Sequence, residues 1–146
     1  MTHELLPTPD GLVIIKAADR VVEGGEQTTG MRRESGVSPV TTGSTGLWSG
    51  HVTTPGGMVA GAHHHGDAES AIYMISGSAR FRWGPSLKYE QIAGPGDFLY
   101  VPPGVVHSEE NISETEPVGF VVSRNSGSML TVNVDPDSPA CIEGHA

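Results

Sequence analysis

Apolar residues in this chain come in short runs, and several of the runs alternate with polar positions. In Ala79-Arg80-Phe81-Arg82-Trp83 every second side chain is apolar and both arginines fall between them, the period of a strand with one buried face. The same pattern predicts strands over 48–53, 58–65, 71–75, 79–83, 87–92, 98–101, 118–123 and 129–134. A further apolar run at 12–15 reads as a first strand. Gly77-Ser78, Gly84-Pro85, Gly94-Pro95-Gly96 and Pro102-Pro103-Gly104 supply the breaks between runs. From 22 to 46 the chain is Gly, Ser and Thr with scattered charges, the composition of a flexible arm or a loop over a barrel mouth. No amphipathic helix longer than a turn or two is visible. Evenly spaced short strands with turn signals between them predict an all-β barrel or sandwich rather than βαβ units.

Length and composition narrow this picture. At 146 residues, with 36% hydrophobic and 17% charged, the chain is the size of one domain and can bury a core. The pattern divides it into an N-terminal strand and arm (1–46), a barrel (47–135) and a C-terminal tail (136–146). A formal charge of −9 argues against nucleic acid or an anionic membrane as partner. No apolar run approaches the roughly 20 residues of a membrane span. The first residues, Met-Thr-His-Glu-Leu-Leu-Pro, lack the basic-then-apolar order of a signal peptide, and a cytoplasmic address is expected. Cys141 is the only cysteine, which leaves no internal disulfide and an inert thiol as the default.

The stretch from Gly57 to Glu69 contains His63-His64-His65. On a strand, His63 and His65 share one face and His64 points the other way, so two imidazoles can reach one ion. Glu69 follows across a short turn and can add an oxygen ligand, and His107 sits after Pro102-Pro103-Gly104. Imidazoles with a carboxylate suit Mn, Fe, Co, Ni, Cu or Zn. The absence of a thiolate cluster excludes a Cys-rich structural zinc site.

These residues resemble the two motifs of the cupin superfamily, G-x5-H-x-H-x3/4-E-x6-G and G-x5-P-x-G-x2-H-x3-N. Gly96, Pro102, Gly104, His107 and Asn111 match the second at every fixed position. Gly57, His63, His65, Glu69 and Gly77 match the first with one departure, seven residues rather than six between Glu69 and Gly77. The resemblance implies a double-stranded β-helix (jelly-roll) barrel, with His63, His65, Glu69 and His107 converging on one divalent transition metal ion. It also implies a homodimer, by packed sheets or exchanged N-terminal strands. The extra residue leaves two registers open: counting forward from His65 the acidic position is Glu69, and counting back from Gly77 it is Ser70. A β-bulge between Glu69 and Tyr73 would keep Glu69 inward. Without one, the site is three histidines plus water.

Other residues carry weaker signals. His51 and Trp48 are candidate pocket residues, although a satisfied structural histidine is the plainer reading of His51. Tyr73, Phe81, Trp83, Phe98 and Tyr100 read as core or barrel-face residues. Met31-Arg32-Arg33-Glu34 reads as a solvated loop, as do Asp97, Glu109 and Glu110. Cupin folds serve many reactions. Two readings therefore stand: a metalloenzyme of oxygenase, decarboxylase or isomerase type acting on a small organic metabolite, and a binding or sensing module that catalyses nothing. A barrel merely stabilised by its metal is a third.

Overall fold

A computed structural model of the chain describes residues 11–23, 30–126 and 131–135. They form two five-stranded antiparallel sheets, the double-stranded β-helix that the motifs imply. The first sheet is ordered β1(Arg32–Val37), β2(Trp48–Thr54), β9(Val118–Arg124), β4(Ser70–Ser76), β7(Phe98–Val101). The second is ordered β10(Val132–Asn133), β3(His63–His64), β8(His107–Asn111), β5(Ala79–Trp83), β6(Tyr89–Ala93).

Alternation sorts the inner faces. β2 buries Trp48, Gly50, Val52 and Thr54, and β9 buries Phe120, Val122 and Arg124 beneath them. Trp48, Val52, Ile72, Met74, Phe81 and Phe120 belong to one apolar cluster between the sheets. On the outer face of β5, Arg80 and Arg82 pair with Glu90 and Glu110 of the neighbouring strands at 3.3–3.7 Å. Gly77 (φ +73°) turns the chain where an added Cβ would meet the Pro117 carbonyl at 2.8 Å, and Gly96 (φ +90°) makes a second left-handed turn.

Three expectations change. Residues 12–15 form no strand, and Leu12 is 98% exposed. The segment read as a flexible arm instead supplies β1, which pairs with β2 and buries Arg33 and Ser35. It also supplies the one-turn helix α1(Pro39–Thr42), closed by a capping box between Ser38 and Thr41. Its Gly/Ser/Thr composition hid a strand because the inward positions are arginine and serine rather than apolar residues. Finally, of 58–65 only His63–His64 is a strand, whereas 107–111, absent from the strands expected of the sequence, is β8. Residues 1–10 and 136–146, with Cys141, lie outside the described residues.

Candidate metal centre

The register of the strands builds the centre. His63 of β3 stands directly opposite His107 of β8, and His107 opposite Trp83 of β5. Across the barrel, Arg124 of β9 stands opposite both Trp48 of β2 and Ser70 of β4. Two rungs, one rich in imidazole and one holding a guanidinium, line the same end of the interior.

His63, His65 and His107 are all buried, and one ring nitrogen from each lies within 4.8 Å of the others. Two tautomers follow from hydrogen bonding. His63 Nδ1 lies 2.8 Å from the Gly61 carbonyl and His107 Nδ1 lies 2.9 Å from the Val105 carbonyl. A carbonyl only accepts, so each Nδ1 carries the proton and each Nε2 presents a lone pair. His65 Nε2 receives an N–H from Arg124 Nη2 at 3.3 Å and is likewise an acceptor.

Burial pushes the His63 pKa down to about 2, helped by His107 beside it. Burial also lowers His107 to about 4, partly opposed by its bond to Val105. Both rings are therefore neutral at physiological pH, as metal ligation requires. Three neutral nitrogens on adjacent positions fit a divalent transition metal, and this group could hold one.

Glu69 is not part of this group. It is exposed, and its backbone N–H donates to Asn125 Oδ1 at 3.0 Å. β4 starts at Ser70, and Ser70 to Tyr73 pair with both neighbouring strands without a slip. The irregularity falls between Met74 and Ser76, three-quarters of the way along the strand, and so does not rescue Glu69. Ser70 takes the inward position and its Oγ accepts from Arg124 Nε at 3.2 Å. His64 points away, and its Nδ1 accepts the Gly66 N–H at 3.0 Å.

The pocket candidates separate as well. Trp48 is fully buried in the core; its Nε1 donates to Ser35 Oγ at 2.9 Å and its ring lies 4.9 Å from the Arg124 guanidinium carbon. His51 alternates to the half-buried outer face of β2, where burial and then Arg20 lower its pKa. Asn111 keeps a structural role: Nδ2 donates to the Thr54, Pro55 and Glu116 carbonyls and Oδ1 accepts from Ser113 N–H.

Three charged residues that read as solvated, or went unremarked, line the centre: Arg33, Arg124 and Glu109. Burial lowers the Arg33 pKa, and lowers Arg124 to about 9 with Arg33 adding to the shift. Burial raises Glu109 to about 7 against the pull of both arginines. Period two carried the missing signal for two of them. Glu109 is two residues from His107, and Arg124 continues the inward series Phe120, Val122. Arg33 has no comparable local cue.

The cavity at the three histidines measures about 10 Å³, room for one water. Beside it opens a groove of about 650 Å³ walled by Phe81, Trp83, Phe98, Leu99 and Val101, with His107 on its wall.

Residues 50–123 match the family model described as a cupin domain. The chain belongs to the cupin family. Among solved structures, this cupin resembles an uncharacterized conserved double-stranded β-helix protein from Klebsiella pneumoniae subsp. pneumoniae. The two are 18% identical with a TM-score of 0.64, covering 84% of this chain and 96% of that one. It also resembles the oxalate decarboxylase of Bacillus subtilis at 24% identity and TM-score 0.63, covering 74% of this chain and 28% of that one. An oxalate oxidase in complex with glycolate gives 20% identity and TM-score 0.63, covering 78% of this chain and 61% of that one. This cupin thus spans under a third of the decarboxylase chain and under two thirds of the oxidase. No curated protein matches it in sequence. No helix among the described residues is long and apolar enough to cross a membrane.

Proposed function

We propose that this cupin holds one divalent transition metal ion on His63, His65 and His107 and presents it to a small organic ligand that enters by the groove beside His107. One observation carries the reading: three buried imidazoles bring one ring nitrogen each within 4.8 Å of one another, and backbone carbonyls orient two of the rings. With Glu69 outside, three protein ligands leave further positions for water or ligand. A bound ion would supply Lewis acidity or redox chemistry there. The chain's own residues do the rest. The Gly61 and Val105 carbonyls hold the ring tautomers, and Phe81, Trp83, Leu99 and Val101 give the approach apolar walls.

The reading is of a cytoplasmic, homodimeric metalloenzyme of oxygenase, decarboxylase or isomerase type. Small organic acids are the first substrates to try, since two structural neighbours are named for oxalate. The test is incubation of metal-reconstituted protein with a panel of such acids, with and without O2, followed by mass spectrometry of the products. Consumption of a many-fold molar excess supports the enzyme. Retention of one unchanged equivalent per chain would instead make this a binding module, and a monomeric mass by light scattering would remove the dimer.

A further inference from the structure

The centre has no carboxylate where the first cupin motif would put one. Glu69 is exposed, and Ser70, which takes the inward position instead, has its Oγ engaged by Arg124 Nε at 3.2 Å. Another acidic side chain reaches the same space from a different strand. On β8 the inward series is His107, Glu109, Asn111, with Glu109 opposite Phe81 of β5. Glu109 is 3% exposed and lines the small cavity together with His63, His65 and His107.

Glu109 and Asn111 are used differently, although they are neighbours in that series. Asn111 engages both polar atoms of its side chain, Nδ2 with three backbone carbonyls and Oδ1 with the Ser113 N–H. Glu109 is held by its backbone, whose carbonyl accepts from the Ala60 N–H at 2.8 Å. Its side chain has no such hold: Oε2 is buried and has no hydrogen-bond partner among the described residues. A carboxylate oxygen buried without a donor is costly, and such groups persist in proteins where a water or an ion completes them. The cavity that Glu109 lines has the volume for one small occupant of this kind, and its other polar walls include the three imidazoles.

We propose that Glu109 is the carboxylate ligand of this centre, adding one oxygen from β8 to the three imidazoles. The proposal rests on the metal reading above and deepens it. The carboxylate stands outside the group whose ligand atoms all lie within 4.8 Å of one another, so ligation takes a turn about its own side-chain bonds. An oxygen donor also changes which ions the centre prefers. Imidazole suits zinc, copper and nickel, whereas a carboxylate adds affinity for manganese.

The test compares full-length wild type with Glu109→Gln, which keeps the size of the side chain and removes its charge. Zinc and manganese affinities are read by competition with a chelator, and visible absorbance of the Co(II) form reports the donor set. In Glu109→Gln zinc is expected to weaken about 10-fold and manganese about 100-fold, with a shift of the cobalt bands. Unchanged affinities with an unchanged cobalt spectrum overturn the proposal and leave the three-histidine reading standing. Equal losses for both metals with an unchanged cobalt spectrum mark a merely structural carboxylate and overturn it too. A wild-type chain that takes up none of the three metals overturns the metal reading itself, and this inference with it. If circular dichroism shows Glu109→Gln unfolded, a crystal structure of the zinc-loaded wild type decides. An oxygen of Glu109 is expected about 2.0–2.2 Å from the ion; a Glu109 with no oxygen on the ion overturns the proposal.

Discussion

The two ends of the barrel interior are built on the same strands and differ in what those strands carry. At one end β2, β4 and β9 turn in Val52, Met74 and Val118, which pack into the apolar cluster. At the other the same three strands turn in Trp48, Ser70 and Arg124, facing His63 and His107 of the opposite sheet. The apolar end gains stability from every buried atom. The ionisable end spends it: desolvation shifts His63, His107, Arg33, Arg124 and Glu109 away from their ordinary pKa values. An interior arranged this way keeps its fold at one end and its chemistry at the other, and each can be damaged separately.

The largest separable effect belongs to the apolar end. Met74→Ala truncates a side chain that is fully buried in the apolar cluster and should destabilise the protein by about 2–5 kcal/mol. Metal uptake per folded chain should be unchanged, because Met74 does not line the cavity at the three histidines. Denaturant melts beside elemental analysis check both halves of this expectation. A loss of metal with little loss of stability would erase the contrast between the ends.

The ionisable end should respond to pH. Protein in chelator carries His63 and His107 at about 2 and 4, against 6.5 when unfolded. As pH falls below 6.5 the unfolded chain therefore takes up two protons that the folded chain refuses. Glu109 acts oppositely, since it holds its proton up to about 7 when folded but only up to 4.5 when unfolded. The difference is about one proton in favour of the unfolded state between roughly pH 6 and 4.5, so stability should fall by about 1.4 kcal/mol per pH unit. Denaturation midpoints across that window measure it. A flat or rising profile would mean the histidines are not buried neutral.

The smallest effects sharpen the boundary of the site. Glu69→Gln should shift stability by less than about 0.5 kcal/mol, as surface substitutions do, and His64→Ala by about 1 kcal/mol for the lost hydrogen bond from Gly66. Neither should alter metal affinity, because both side chains lie outside the group of three. A marked loss of affinity in Glu69→Gln, read by competition with a chelator, would bring the carboxylate back into the coordination sphere.

Much of this was legible in the chain because strand alternation and turn chemistry are local. The paired faces of 79–83, the left-handed turns at Gly77 and Gly96, and His63, His65 and His107 as a group all follow from period two and two spaced motifs. Glu69 was misplaced because its side depends on where a bulge falls, and that is set by pairing of β4 with β9 rather than by residues 69–73. β1 was missed for a related reason. Its inward Arg33 and Ser35 look solvent-facing until β2 and the far sheet enclose them. Arg33, Arg124 and Glu109 meet only through three separate strands, which no single stretch of sequence displays.

The measurement that bears most directly on the central claim is metal stoichiometry. Wild-type protein and His63→Ala, His65→Ala and His107→Ala are each stripped with chelator, reloaded with zinc and desalted before elemental analysis. The account predicts one ion per wild-type chain and loss of about 100-fold or more in affinity for each single variant. Full zinc occupancy in His107→Ala, or none in the wild type, would contradict it.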